Sequence, residues 1–122
     1  MMFHSLLPMT LDPDVATVLE WAPGFAERYL EMVAVCDGDP GAPAVFGELA
    51  DYVAQLAEEM ERTRPRLVAC MAAVEAVAVA SQDAEELVGW SFLDALDPAD
   101  VRRVRPWMGP QTAAIHRGMD RP

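Results

Sequence analysis

DAEELVGWSFLDALD, residues 83–97, is the stretch of sequence on which the predicted fold depends. Large apolar side chains fall on almost every side of a helix here, and only three acids interrupt the ring. A helix that is apolar nearly all round has to be covered by neighbouring elements. We therefore predict a buried central helix over about residues 83–97, with the other helices packed around it. Its large apolar residues are Leu87, Val88, Trp90, Phe92, Leu93 and Leu96.

The ends of this helix carry capping signals. Asp83, with Glu86 three residues later, predicts an N-terminal cap and a capping box. Asp97-Pro98 is typical of a capping residue followed by the first residue of the next helix. Asp12-Pro13 repeats that signal near the start of the chain and predicts the beginning of the first helix there.

The remaining sequence predicts further helices and no strands, because apolar residues recur at helical spacing and no alternating pattern or internal repeat occurs. The predicted fold is all-α: a single compact bundle of five main helices plus one or two short C-terminal helices. We expect residues 12–118 to form this domain, with 1–11 as a loose lead-in and 119–122 as a tail. The other helices are predicted at about 12–22, 25–36, 44–62, 65–80, 99–105 and 111–117.

Length and composition favour one folded domain. The 122 residues are 52% hydrophobic, which is enough for a core without disulfide staples. Cys36 and Cys70 lie in apolar helical patterns and predict reduced core thiols of a cytosolic protein, with a disulfide between two helices as the alternative. The N-terminus lacks the basic start and long apolar run of a secretory signal. The most apolar stretch, Leu67–Ala80, is too short to span a bilayer and contains Glu75. We expect a cytoplasmic protein.

Charge is unevenly distributed along the chain. The formal net charge is −11, and residues 1–61 account for it with twelve acids and one arginine. Residues 62–122 hold eight acids and eight arginines, and the chain contains no lysine. The missing lysines exclude a Schiff-base amine and a P-loop lysine. A surface this acidic disfavours nucleic acid and anionic membranes as partners.

The residues needed for catalysis or metal binding are few. Ser5 lies beside His4 in the predicted lead-in, Ser91 lies within the central helix, and neither cysteine has a nearby histidine in sequence. Metal sites in helical bundles draw on Glu-x-x-His pairs, which this chain lacks. We therefore predict no catalytic, cofactor-binding or metal-binding residues, and a protein that is not an enzyme.

The acidic half of the chain offers a candidate binding surface. Carboxylates on two early helices predict a negative face that either only maintains solubility or docks a basic protein partner, as proteins that plug the positive cleft of a nuclease or other toxin do. An alternative is a small anion-binding edge near the C-terminus, formed by Arg102, Arg103 and Arg105. The negative electrostatic field of the whole protein opposes the binding of an anion there. The candidate partner-binding residues are Glu27, Glu31, Glu48, Asp51, Glu58 and Glu59.

Four phrases carry a resemblance to a known group of proteins: VLEWAPGFAERYL (18–30), VFGELADYV (45–53), ELVGWSFLDAL (86–96) and WMGPQT (107–112). Their order resembles a family of small, uncharacterised bacterial all-helical domains that look like immunity-type or accessory proteins. The resemblance implies a helical fold and a non-enzymatic role. Together with the charge of −11 in residues 1–61 and the missing catalytic residues, it favours an immunity- or antitoxin-like protein that occludes a basic partner such as a toxin.

Two other functions remain open. One is a helical homo-oligomer, such as a homodimer that buries Trp21 or Trp107, with a structural or regulatory role. The other is a small-ligand binder with a pocket near Trp90 and Phe92, which Gly89 would help to open.

Overall fold

The structure, a computed structural model, describes residues 11–119. Seven α-helices make up most of this range, and no strand occurs in it, so the predicted all-α bundle is confirmed. Residues 1–10 of the predicted lead-in and residues 120–122 of the predicted tail lie outside the described residues. The helices are α1 (Pro13–Trp21), α2 (Ala26–Cys36), α3 (Ala42–Glu58), α4 (Met60–Ala78), α5 (Gln82–Leu87), α6 (Pro98–Val104) and α7 (Pro110–Met119).

Short turns of other helix types join some of these elements. A 3₁₀ turn at Pro23–Phe25 precedes α2, and another at Arg105–Trp107 follows α6. After α5 the chain continues as a π-helical turn, Val88–Phe92, and then as a 3₁₀ turn, Leu93–Ala95. None of the helices between residues 11 and 119 has both the length and the apolar character needed to cross a membrane.

Two of the predicted caps are confirmed. The Asp12 carboxylate accepts hydrogen bonds from the backbone N–H groups of Asp14, at 2.8 Å, and Val15, at 3.2 Å. The Asp97 carboxylate accepts one from the N–H of Asp100, at 2.9 Å. Each bond satisfies a donor that the first turn of a helix would otherwise leave unpaired.

The predicted cap of α5 is wrong by two residues. The hydroxyl oxygen of Ser81, not the carboxylate of Asp83, accepts the hydrogen bond from the N–H of Ala84, at 3.0 Å. Ser81 is extended, with φ −166° and ψ 170°, as an N-cap residue should be. Asp83 then lies in the first turn, where its negative charge interacts favourably with the positive end of the helix dipole.

The central stretch is buried on most of its sides but not on all of them. Val88, Phe92 and Leu93 are at most 2% exposed, while Leu87 is only partly buried. The prediction for Trp90 is wrong, because its side chain is 70% exposed. The π-helical turn packs against α3, α4 and α7, and no described element covers the side on which Trp90 lies.

The boundary between α3 and α4 also differs from the prediction. The sequence predicts one helix to residue 62 and a new one from Pro65, but the break occurs at Glu59 and Pro65 lies inside α4. Glu59 leaves the helical region, with φ −121° and ψ 45°. The Thr63 hydroxyl donates its proton to the carbonyl oxygen of Leu56, at 2.6 Å, and also lies 3.0 Å from that of Glu59, so it bridges the end of α3 and the break.

Glu75 connects α4 to α7. Its carboxylate accepts hydrogen bonds from the backbone N–H groups of Gln111, at 3.0 Å, and Thr112, at 2.9 Å. The buried Thr112 hydroxyl donates a third bond, at 2.8 Å. A Cβ at Gly109 would lie 2.4 Å from the Glu75 Cδ, so a side chain there would displace the Glu75 carboxylate. An acid from one helix therefore caps the N-terminus of another.

These bonds set the ionisation of Glu75. Burial by itself would raise the pKa of its carboxyl, but the hydrogen bonds from Thr112 and Gln111 outweigh burial and lower that pKa below the ordinary value. The charged form is therefore the one that the fold stabilises.

The core lies between α1, α3, α4 and the stretch after α5. It also includes Tyr29 of α2, which is the one buried residue that the structure assigns to that helix. The largest fully buried side chains are Tyr29, Phe25, Phe46, Phe92, Leu49, Leu67 and Met71.

Replacing Leu93 by alanine tests the central stretch. Leu93 is 2% exposed, so Leu93→Ala should lower the free energy of unfolding by about 2–5 kcal/mol in chemical denaturation. Trp90→Ala is the matched control, with an expected change within about 0.5 kcal/mol because the indole is exposed. A loss below about 1 kcal/mol for Leu93→Ala would contradict the central placement.

Replacing Glu75 by glutamine tests the link between α4 and α7. Because the folded-state pKa of Glu75 is lowered, its carboxylate stabilises the fold above the unfolded-state pKa, and this contribution disappears as the pH falls through the folded-state pKa. Glu75→Gln should lower the free energy of unfolding at pH 7 by about 1–3 kcal/mol. The difference between the two proteins should shrink on acidification.

Denaturation curves between pH 7 and pH 3 measure that difference. Glu20→Gln, which removes the same charge from an exposed position on α1, is the control for net charge. A constant difference between Glu75→Gln and wild type over this range would disprove the role of the charged carboxylate.

Candidate functional site

Arg28 holds α2 against α3. It is the only arginine among residues 1–61. Its Nη1 donates to Glu48 Oε2, at 2.8 Å, and approaches Asp51 Oδ2, at 3.4 Å, while its Nη2 donates to the side-chain oxygen of Gln55. The guanidinium also lies 5.1 Å from the centre of the Tyr52 ring. Four side chains of α3 thus converge on one cation of α2.

The partner-binding residues predicted on α3 lie along one side of that helix. Glu48, Asp51 and Glu58 are spaced by three and seven residues, which places them on one face over about 15 Å. On α2, Glu27 and Glu31 are exposed and four residues apart, so they also share a face. Glu31 is three residues from Arg28, which contacts α3. We call Glu27, Glu31, Glu48, Asp51, Glu58 and Glu59 together the acidic stripe.

Half of the acidic stripe has an arginine partner. Glu48 and Asp51 share Arg28, and Glu59 pairs with Arg62 at 3.1 Å. The Glu59–Arg62 pair is well exposed, and such pairs contribute little stability because water and salt screen them. Six carboxylates and two arginines leave the stripe with a local excess of negative charge.

The two thiols lie in different surroundings. Cys70 is buried as predicted, and burial raises the pKa of its thiol to about 12, which disfavours the nucleophilic thiolate at neutral pH. Cys36 is exposed, which corrects its predicted place in the core. It lies in the last turn of α2, beyond Tyr29, where the helix extends past the core. Both thiols are free, so the alternative of a disulfide between helices is wrong.

The sequence also predicts no metal-binding and no catalytic residues, and the structure describes only some of the residues concerned. Between residues 11 and 119, no three His, Cys, Asp or Glu side chains are grouped so that they could hold a metal ion. Ser5 and His4 lie outside the described residues. Ser91 lies in the π-helical turn, half-buried.

An apolar groove crosses α4. It has a volume of about 320 Å³ and lies between the end of α1 and the 3₁₀ turn after α6. Trp21, which is 51% exposed, forms one wall, and Trp107 forms the other. Trp107 also packs on the core, and the guanidinium of Arg64 lies 5.9 Å from its ring. The rest of the groove is lined by Val68, Met71, Ala72, Glu75, Ala76, Val79 and Gly109.

The surroundings of Gly89 bear on the alternative of a ligand pocket near Trp90 and Phe92. Phe92 is fully buried and Trp90 is exposed. A Cβ at Gly89 would lie 3.2 Å from Ile115 Cγ2, so this glycine permits the close approach of α7 and does not open a space. The contact between Gly89 and Ile115 therefore does not support a pocket near Trp90 and Phe92, which stays a prediction.

Sequence reasoning missed the role of Glu75. The one available signal was an acid in the middle of an apolar helix, which needs a partner when it is buried. Its partner, the N-terminus of α7, is more than thirty residues away in sequence, and periodicity carries no information about such a pairing.

Comparison of the chain with protein-family models, with curated proteins and with solved structures finds no match.

Proposed function

We propose that this protein is a non-enzymatic binding module that docks a basic protein partner on its acidic stripe. The observation that carries the proposal is the arrangement of the stripe. Arg28 of α2 pairs with Glu48 and Asp51 of α3, and the acids of α3 continue on the same face to Glu58. A surface of this kind attracts a positively charged partner, accelerates association and sets its orientation.

The most concrete form of the proposal is an immunity- or antitoxin-like protein that occludes the basic cleft of a toxin. The net charge of −11 and the resemblance of the sequence to immunity-type bacterial domains support it. The arginine that pairs with acids of the stripe fits this role as well. Arg28 holds Glu48 and Asp51 in place before the partner arrives, which lowers the entropy that these side chains lose on binding.

Charge reversal in the stripe tests this proposal. The protein is co-expressed with the products of its neighbouring genes, and the retained partner is studied by surface plasmon resonance. Changing both Glu58 and Glu59 to lysine should slow association by about tenfold or more at low salt. The same change should also weaken the dependence of the association rate on salt, because fewer opposite charges attract the partner.

The matched control changes Glu85 and Glu86 to lysine. This pair has the same residue types and the same change in net charge, but it lies on α5. The control should associate at nearly the wild-type rate. Failure to retain a basic protein, or equal slowing by both double variants, would show that the stripe is not the docking surface.

A second candidate function, self-association, is favoured by the apolar groove. Its walls are Trp21 and Trp107, and large aromatic side chains of this kind are enriched in interfaces between subunits. Two copies with a charge of −11 each repel one another, so dimerisation through the groove should strengthen as salt screens the repulsion. Docking of a basic partner should show the opposite dependence on salt.

Sedimentation equilibrium at low and high salt separates these two candidates. If the groove is a dimer interface, Trp21→Ser should abolish a dimer that wild type forms, because it removes one wall of the groove. Trp90→Ser, at a more exposed tryptophan outside the groove, should leave the dimer unchanged. A monomer at all salt concentrations would exclude self-association as the function.

A further inference from the structure

A second cavity of about 370 Å³ opens where the 3₁₀ turn after the central stretch meets α6 and α7. Its apolar part includes Leu96 and Val101, which are buried. Arg102, Arg105 and His116 also line it, together with one acid, Asp94. We call it the cationic cleft. It concentrates positive groups in a chain that has twenty acids and only nine arginines.

The three neighbouring arginines of this region do not act alike. Arg103 donates to the Asp100 carboxylate, at 2.9 Å, and so is already paired. Arg102 and Arg105 are three residues apart, which places them on the same side of the chain. No carboxylate among residues 11–119 lies within ion-pair distance of either. Within the described part of the chain, both guanidinium groups line the cleft without a carboxylate partner.

The composition of the cleft indicates the class of that ligand. Guanidinium groups bind carboxylates and phosphates through paired N–H donors, and this geometry selects an oxyanion. The buried leucine and valine beside them favour a ligand with a hydrocarbon part. The volume lies at the lower end of the range for small-molecule sites, which excludes a large ligand.

From this combination we infer that the cationic cleft binds a small amphipathic oxyanion, whose charged head pairs with Arg102 and Arg105 and whose short chain contacts Leu96 and Val101. This site is separate from the acidic stripe, and the inference does not depend on the proposed partner. It places a binding site at the C-terminal end of the fold.

Isothermal titration calorimetry of the whole chain with octanoate tests the inference. Octanoate should bind with one site per chain, and acetate and octan-1-ol should each bind at least tenfold more weakly, because each lacks one of the two required parts. Octyl phosphate in a parallel titration shows whether the head group is a carboxylate or a phosphate. Binding of octan-1-ol as tight as that of octanoate would overturn the inference, since it would show an apolar site only.

Variants locate the site. Changing both Arg102 and Arg105 to glutamine should weaken octanoate binding by at least tenfold, while thermal melting confirms that the exposed substitutions leave the fold intact. Arg105→Lys, which keeps the charge but removes the paired donors, should give an intermediate loss. Arg117→Gln, on α7 but outside the cleft, is the matched control and should bind as wild type does. Wild-type affinity in the double variant, or an equal loss in Arg117→Gln, would disprove the inference.

Discussion

The contact between the Glu75 carboxylate and the N-terminus of α7 is the constraint on which much of this structure depends. A single acid inside an apolar helix has to be satisfied, and α7 supplies two backbone donors and the Thr112 hydroxyl. This contact fixes where α7 begins. α7 in turn covers Gly89 and contributes His116 to the cationic cleft, while Glu75 itself lines the apolar groove. One partly buried carboxylate thus lines one cavity and anchors the helix that lines the other.

Electrostatics divides the molecule into surfaces of opposite character. On α2 and α3 a local excess of carboxylates surrounds Arg28, and the pairs formed there are partly or well exposed, so they organise side chains more than they stabilise the fold. At the other end of the chain, Arg103 is paired with Asp100, while Arg102 and Arg105 line the cationic cleft. The net charge of the chain predicts neither surface, because the charge that each surface presents depends on which of its side chains are paired.

Much of the fold could be predicted because its signals are local. Asp12 and Asp97 cap helices through N–H groups two or three residues away, and the buried faces of α3 and α4 follow from helical periodicity. The candidate site was predicted only in part. Helical spacing placed Glu48, Asp51 and Glu58 on one face, but the pairing with Arg28 depends on how α2 lies against α3, and no spacing along the chain specifies that packing.

The sequence by itself determined the helices, the early acidic surface and the burial of Val88, Phe92 and Leu93, because capping and amphipathic spacing act within a few residues. Only the tertiary structure decided which side of the central stretch remains open at Trp90, where α3 ends and how Glu75 is satisfied. It also decided that Arg102 and Arg105 meet His116 across a cleft. These outcomes depend on contacts between residues far apart in the chain, and such contacts exist only once the helices have packed.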